Sequence, residues 1–163
     1  RRRFQFKEMM PNLDVIENEV GIIDGISVRE LLNTINRRIE FLYDRDHMIG
    51  HSYFLGCHTL VDLKAVFLQN IIPLLQEYFY GDWEKISLVL GCGTNGNGST
   101  QTNQYPLVKT EKFVEKEILG FDHLDFDDSC RYEVNREFLD TEGEMLNHFF
   151  RSVIRSSVKT ANS

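Results

Sequence analysis

Apolar side chains recur at helical spacing in the first third of the chain. The repeat of three and four residues predicts an amphipathic helix over about 28–45. Ser27 and Glu30 have the spacing of a capping box, in which each side chain accepts a hydrogen bond from the other residue's backbone amide. The helix is therefore expected to begin just after Ser27. Its apolar face consists of Val28, Leu31, Leu32, Ile35, Ile39 and Leu42.

A second apolar face of helical spacing follows a turn at 50–54. Thr59 and Asp62 have the spacing of a helix cap, with the Asp62 carboxylate in the first turn, where the helix dipole favours negative charge. Pro73 has no backbone N–H group, so the pattern predicts either a kink or a new helix start there. The residues of this face are Leu63, Val66, Phe67, Ile71, Leu74, Leu75 and Tyr78.

A third helix and a polar loop follow. Asp82 has the position of an N-cap for a helix over 83–90, which Gly91 would end. Residues 91–104 are rich in Gly, Asn, Ser and Thr and have no apolar anchor, so we expect a flexible loop. The glycines lack the Gly-Lys-Ser/Thr sequence of a phosphate-binding loop.

Short strands and helices alternate in the last third of the chain. The apolar periodicity there changes repeatedly between that of a strand and that of a helix. With the helices before them, these elements predict an α+β fold that is mainly α. They are a strand at 105–109, a helix at 111–119, an acidic turn at 122–128, a strand at 132–135 and a helix over about 142–158.

Apolar and polar residues alternate at the start of the chain. Phe4 and Phe6 give a short strand pattern that Pro11 ends. Residues 12–26, with two glycines, indicate a linker or a frayed segment. The strand directly follows three arginines at 1–3, and no methionine precedes them. We therefore expect this sequence to come from inside a larger protein.

The composition is that of an ordinary globular protein, with 42% hydrophobic and 26% charged residues. There is no run of ~18 apolar residues that would predict a membrane span. The net charge of −7 argues against a general nucleic-acid-binding surface, which needs clustered Lys and Arg. The three cysteines are odd in number and widely spaced, which indicates reduced thiols and a cytoplasmic location.

The arginine triplet is the first candidate for chemistry. A charge run of this kind is usually a solvated surface, which is the alternative interpretation. Here Phe4 and Phe6 fix the segment to a strand, so at least one guanidinium would be held in place. A positioned guanidinium at a subunit edge can stabilise the charge that develops on a transferring phosphoryl group.

His47 and His51 are the second candidate, because their i, i+4 spacing would put both imidazoles on one face of a helix. Residues 48–50 (Met-Ile-Gly) would break such a helix, and no Glu is placed as a general base. Structural histidines held by hydrogen bonds are therefore the better interpretation. The acidic turn lacks the spacing of a calcium loop, so we predict no metal site. Local spacing suggests no Ser-His-Asp or Cys-His set.

Several stretches of the sequence resemble one protein family. They are residues 1–4 (RRRF), 35–39 (INRRI), 44–54 (DRDHMIGHSYF), 71–80 (IIPLLQEYFY), 82–86 (DWEKI) and 132–138 (YEVNREF). Together they resemble the C-terminal part of McrB-type AAA+ NTPases, the GTP-dependent motor subunits of modified-cytosine restriction systems. The block at 44–54 is long and unusual in composition, which makes the resemblance specific.

The resemblance implies an order of domains. The phosphate-binding loop, the Mg²⁺-binding acidic motif and the sensor residue would all precede Arg1. The implied segments are the last strand of the AAA+ core with its arginine-finger motif (1–11), a linker (12–26), a helical lid over the nucleotide (27–90), a flexible loop (91–104) and a C-terminal α/β extension (105–163).

The resemblance also implies a function for the full-length protein. It would form a homo-oligomeric ring that hydrolyses GTP or ATP with Mg²⁺ at its subunit interfaces. Hydrolysis would drive DNA translocation for a partnered nuclease subunit of a restriction complex. DNA would be contacted by the whole assembly, with no role for a membrane. This part alone would hold no cofactor and hydrolyse nothing, since it has no phosphate-binding loop.

Four residues gain candidate roles from the resemblance. Arg3 and Arg2 are arginine-finger candidates that would act on the neighbouring subunit, ahead of Arg1. Related motors place a lid arginine near 50–54, and this sequence has none there. His51 and Ser52 are therefore candidates for contact with the nucleotide. The alternative is that their segment is only a structural turn between two lid helices.

Two other functions are compatible with the sequence. One is a non-enzymatic helical adaptor whose apolar stripes bind a partner helix, and the other is an ATP-using AAA+ relative in another role. An adaptor would bind its partner without nucleotide, whereas a motor lid would depend on nucleotide to assemble. The residues that select GTP or ATP, and those that read a modified base, would lie upstream.

Overall fold

The computed structural model describes residues 10–92, 104–113 and 129–155. Over these ranges the chain is mainly helical with short antiparallel strands, which confirms the predicted α+β, mainly α fold. No helix within them is long and apolar enough to cross a membrane. The predicted strand through Phe4 and Phe6 lies outside the described residues, as do residues 93–103 of the predicted loop.

A short helix and a hairpin occupy most of the segment predicted as a linker at 12–26. Helix α1 (Leu13–Glu19) begins at Asn12, whose side chain accepts hydrogen bonds from two first-turn amides at 3.0 and 3.2 Å. Strands β1 (Ile22–Ile23) and β2 (Ile26–Ser27) then pair antiparallel. The segment is thus an ordered part of the fold.

The linker prediction is wrong, because the segment forms a hairpin and its apolar side chains are buried. Asp24 and Gly25 join the two strands with φ values of +47° and +79°. Positive φ at both central residues is typical of the two-residue hairpin turn that favours Asp-Gly. Ile16, Ile23 and Ile26 are at most 3% exposed, so the segment packs on the core.

Helix α2 (Val28–Leu42) is the central element of the fold. It begins where predicted, because the Glu30 amide donates a hydrogen bond to Ser27 Oγ at 3.2 Å. Its predicted apolar face is buried over most of its length. The helix ends about a turn earlier than predicted, since Tyr43 leaves the helical region with φ −138° and ψ −90°.

One helical run has three parts, α3 (Leu60–Val66), a π-helical stretch (Phe67–Ile71) and α4 (Ile72–Tyr78). It begins with the predicted cap. The Asp62 amide donates to Thr59 Oγ1 at 3.1 Å, and the Thr59 amide donates to the Asp62 carboxylate at 2.8 Å. Pro73, in the first turn of α4, cannot donate a backbone hydrogen bond. The sequence predicted a kink or a new helix start at Pro73. The structure has a wider π-helical stretch just before it, which accommodates the proline.

Helix α5 (Trp83–Val89) follows a turn in which Tyr80 and Gly81 both have positive φ. The predicted N-cap is confirmed, because the Lys85 amide donates to Asp82 Oδ1 at 3.2 Å. The helix ends at Val89, and Gly91 adopts φ +75° two residues later. Glycine favours this left-handed conformation at helix ends, as the sequence predicted.

Two longer strands, β3 (Val108–Phe113) and β4 (Ser129–Val134), pair antiparallel with Val108 opposite Val134. The strand predicted at 105–109 therefore begins later and runs further. The helix predicted at 111–119 is wrong at its start, because residues 108–111 alternate between more buried and exposed positions, as in a strand. Residues 114–128, which include the predicted acidic turn, lie outside the described residues.

The chain ends in helices α6 (Arg136–Asp140) and α7 (Leu146–Arg155), separated by a 3-10 turn (Gly143–Met145). The buried Asn135 begins α6 by accepting a hydrogen bond from the Glu137 amide at 3.0 Å. The last helix predicted over 142–158 is thus preceded by a 3-10 turn, and residues 156–158 are not among those described.

Helix α7 packs into the same hydrophobic cluster as α2 and α3. The Phe150 ring lies 5.2 Å from the Phe67 ring and 5.9 Å from the Phe138 ring, both edge-on. This core is therefore shared by the central helices and the C-terminal ones. Its largest fully buried side chains include Leu31, Leu32, Ile35, Phe54, Phe67, Phe138, Phe149 and Phe150.

Candidate functional site

The two described candidates, His51 and Ser52, lie in residues 44–54, which we call the α2–α3 turn. They begin a 3-10 helix, His51–Phe54. The Phe54 side chain is fully buried, and its ring lies 6.4 Å from that of Phe67. This contact anchors the end of the turn in the core. His51 is half-buried and Ser52 is exposed, so the start of the 3-10 helix faces outward.

Asn36 fixes the middle of the α2–α3 turn from inside the fold. Its side chain is 5% exposed and makes two hydrogen bonds to the backbone of the fully buried Ile49. Asn36 Nδ2 donates to the Ile49 carbonyl at 2.9 Å, and the Ile49 amide donates to Asn36 Oδ1 at 2.7 Å. The Asn36 side chain thus makes the pair of backbone hydrogen bonds that a neighbouring strand would make with Ile49. It thereby fixes the position of the following residues relative to α2.

His47 is held by a carboxylate and two aromatic rings. A carboxylate only accepts hydrogen bonds, so His47 Nδ1 donates to Asp44 Oδ1 at 2.6 Å. The same oxygen accepts from the amides of Asp46 and His47, at 2.9 and 3.0 Å. The His47 side-chain hydrogen bond is the main cause that lowers the pKa of Asp44. The imidazole packs edge-on against Tyr43 and Tyr78, with ring centroids 4.3 and 4.9 Å away.

His51 has a different partner. The backbone amide of Asn12 donates a hydrogen bond to His51 Nδ1 at 3.1 Å. This contact joins the α2–α3 turn to the start of α1, 39 residues earlier in the chain. Within the described ranges, His51 Nε2 and Ser52 Oγ make no hydrogen bond to protein. These two atoms are therefore the ones that the turn can offer to a ligand.

The two histidines do not converge on one point. Each uses Nδ1 for a separate protein hydrogen bond, to Asp44 in one case and to Asn12 in the other. Each imidazole is thus held by a hydrogen bond to a different part of the chain. Among the described residues, no group of three or more His, Cys, Asp and Glu side chains could hold a metal ion.

Arg38 is a half-buried cation that the sequence did not single out. Its Nη1 and Nη2 donate to the carbonyls of Val89 and Val153, both at 2.8 Å. These carbonyls belong to the end of α5 and to α7, so one guanidinium ties α2 to both helices. Burial lowers the pKa of Arg38 from its ordinary value.

Sequence reasoning missed Asn36, although a signal was present. Asn36 lies one residue after Ile35 and three before Ile39, at the edge of the apolar face of α2. A polar residue there predicts a buried hydrogen-bond partner. Arg38 gave no comparable signal, because it stands among other charged residues, which are typical of the exposed face of a helix. The finger candidates Arg1, Arg2 and Arg3 lie outside the described residues, so their placement stays a prediction.

The capped helices from α2 to α5, with the anchored turn between them, form a compact α-helical unit. Residues 27–87 match the family model described as McrB, alpha-helical lid domain. This part of the chain is therefore similar to the helical lid of McrB-type proteins, and the stretches at 44–54 and 71–80 fall within that match. A search of curated proteins found no match.

Proposed function

We propose that this chain is the lid-bearing part of a ring-forming AAA+ NTPase that uses GTP. The motor would power DNA translocation for a modified-cytosine-specific restriction nuclease. The observation that carries this proposal is the McrB lid match over 27–87, because it covers α2, the α2–α3 turn and nearly all of α5. The stretches at 1–4 and 132–138, outside the match, resemble the same family and support it.

The α2–α3 turn would provide the lid's contact with the nucleotide. Within the described ranges, His51 Nε2 and Ser52 Oγ have no hydrogen-bond partner in the protein, and both can donate hydrogen bonds. Asn36 and Phe54 hold the turn from inside, so these donors would meet a ligand in a fixed geometry. Neutral donors of this kind fit phosphate, ribose or base acceptors and would take the place of the absent lid arginine.

Arg2 and Arg3 would act on the nucleotide of the neighbouring subunit. A guanidinium keeps its charge at neutral pH and presents several donors in a fixed plane. Placed beside the γ-phosphate, it would stabilise the negative charge that spreads over the phosphoryl oxygens in the transition state. With Mg²⁺ bound, the AAA+ core would supply the phosphate-binding loop, a motif that the sequence of this chain does not contain.

The assembly would be a homo-oligomeric ring in the cytoplasm, partnered with a nuclease subunit. Cys57, Cys92 and Cys130 are free thiols in the described part of the chain, which fits a reducing compartment. The acidic net charge of −7 fits a part of the motor that does not itself hold DNA. DNA would be contacted elsewhere in the assembly.

The test is hydrolysis by the full-length protein, expressed with the coding region upstream of Arg1. We expect GTP hydrolysis that requires Mg²⁺ and a ring that assembles when nucleotide is added, as seen by light scattering. Arg2→Ala or Arg3→Ala should lower the rate ~10³-fold or more, the usual loss for an arginine finger. The 163-residue chain alone should hydrolyse neither GTP nor ATP.

Arg29→Ala is the matched control, since it removes the same charge from an exposed site on α2. Its side chain lies 3.6 Å from Asp14 in a surface ion pair, so hydrolysis should stay near the unaltered rate. Full hydrolysis in both Arg2→Ala and Arg3→Ala would refute the finger assignment. Assembly without nucleotide, and no hydrolysis of either nucleotide, would favour the adaptor.

A further inference from the structure

The hydrogen bond between Asn12 and His51 determines which proton the imidazole carries. A backbone amide is only a donor, so the ring nitrogen that it meets, Nδ1, must be an acceptor. The proton of the neutral imidazole therefore lies on Nε2. His47 is the opposite case, because its Nδ1 donates to Asp44. The structure thus assigns different tautomers to two histidines four residues apart.

The same bond places His51 at a junction in the chain. Asn12 is the N-cap of α1 and follows directly on Met10 and Pro11, the end of the segment predicted as the last core strand. The Asn12 side chain is occupied with the first turn of α1, which leaves its amide for His51. Asn36 holds the opposite side of the α2–α3 turn through Ile49.

We propose that His51 is a positioning residue that links the start of α1 to the α2–α3 turn, and that its outward atom is a hydrogen-bond donor. The hydrogen bond between Asn12 and His51 does not depend on the proposed function. The donor role toward a ligand rests on that function, since the ligand would be the nucleotide. A turn held at Ile49 and at Asn12 would move together with the segment that leads into α1.

The tautomer restricts the chemistry that His51 can recognise. With Nδ1 occupied by the Asn12 amide, only the Nε2–H group is left for a ligand, and an N–H group pairs with an acceptor atom. Phosphate oxygens, ribose oxygens and base carbonyl or ring-nitrogen atoms are acceptors, whereas exocyclic amino groups are donors. His51 would therefore meet an acceptor atom of the nucleotide and would be badly matched to an amino group.

Two substitutions separate the two faces of the ring. His51→Asn keeps an oxygen near the position of Nδ1, so it can still accept from Asn12, but it removes the outward donor. His51→Gln carries an amide near the position of Nε2, so it keeps the donor and loses the acceptor. His51→Ala removes both. All three can be examined by NMR in the 163-residue chain without any nucleotide.

The first readout is the tautomer, from the ¹⁵N shifts of the His51 ring in the unaltered chain. An unprotonated Nδ1 is expected, and a protonated Nδ1 would overturn the proposal. The second readout is amide exchange at Asn12. Loss of one hydrogen bond should raise it roughly 3- to 10-fold in His51→Gln and His51→Ala but not in His51→Asn. Equal exchange in all four proteins would also overturn the link.

The ligand side is tested in the full-length protein with a fluorescent GTP analogue and a fluorescent ATP analogue. His51→Asn should bind about tenfold more weakly while keeping the Asn12 amide protected, because only the outward donor is lost. Unchanged affinity in this variant would refute the donor role and leave the link standing. Failure of the unaltered protein to bind either nucleotide would instead refute the proposed function.

Discussion

Replacing Asn36 by alanine should destabilise the fold far more than its size suggests. The substitution removes both hydrogen bonds to Ile49, at 2.9 and 2.7 Å. Ile49 is fully buried and Asn36 is 5% exposed, so water cannot readily replace the lost partners. A buried amide and a buried carbonyl would then be left unpaired.

The magnitude follows from those two backbone groups. Each buried group left without a partner costs about 1–3 kcal/mol. Alanine is a better helix former than asparagine, which offsets about 0.5 kcal/mol. We expect a net loss of about 1.5–5.5 kcal/mol in the free energy of unfolding. For a chain of this length, that lowers Tm by roughly 3–22 °C.

Urea unfolding of the 163-residue chain, followed by Trp83 fluorescence and by circular dichroism, measures this loss. Asn33→Ala is the matched control, because Asn33 is exposed on the same helix. It changes helix propensity alone and should alter stability by no more than about 0.5 kcal/mol. The difference between the two variants isolates the contribution of the hydrogen bonds to Ile49.

A small difference would refute the reasoning. If Asn36→Ala and Asn33→Ala agreed within about 0.5 kcal/mol, the Ile49 backbone groups would have found other partners. The α2–α3 turn would then not depend on Asn36 for its position. Asn36→Asp tests the polarity of the pair, since it keeps the acceptor for the Ile49 amide but puts an oxygen against the Ile49 carbonyl. It should be at least as destabilising as alanine.

Three further predictions concern charge and thiols. The folded-state pKa of Asp44 is lowered, so its contribution to stability is present above the unfolded-state pKa of ~3.9 and is lost as the pH falls through the folded-state value. Asp44→Asn should therefore be less stable than the unaltered chain at pH 6. Its urea midpoint should also fall less between pH 6 and pH 3, and an equal fall in both proteins would contradict this. Arg38→Met removes donors from two helix-end carbonyls and should cost about 2–3 kcal/mol, with Arg29→Met, an exposed site, as the control in the same urea assay. Burial raises the pKa of Cys57 and Cys92, so iodoacetamide should label the exposed Cys130 first, as read by peptide mass mapping; early labelling of Cys92 would show that its helix end opens.

Local signals gave the parts of the fold that depend on neighbouring residues. The caps at Ser27, Thr59 and Asp82 were predicted, because each joins residues three apart in the sequence. The Asp24-Gly25 hairpin is also local, and its turn signal could have replaced the linker prediction. Helix α2 ends at its last periodic apolar residue, Leu42, and Asp44 caps the next turn instead of continuing the helix.

The contacts that position the candidate site could not be predicted in the same way. Asn12 and His51 are 39 residues apart, and Arg38 and Val153 are 115 apart. In both pairs the partner is a backbone atom, so its side chain carries no signal of the contact. The sequence indicated that His51 was worth attention through its position in a family-like block. It gave no sign of the tautomer, because that depends on where the Asn12 amide lies in space.

The family match ends at residue 87, but the core of the lid does not. Helix α7 adds Leu146, Phe149, Phe150 and Val153 to that core, each at most 1% exposed. Burial of one such side chain contributes about 1.5–3 kcal/mol, so the four together contribute about 6–12 kcal/mol. A whole domain is typically stable by only about 5–15 kcal/mol. We therefore expect residues 27–90 alone to be much less stable than the same residues with α7 packed on them. Helix α7, joined to α2 through Arg38, shares the core of the matched helices.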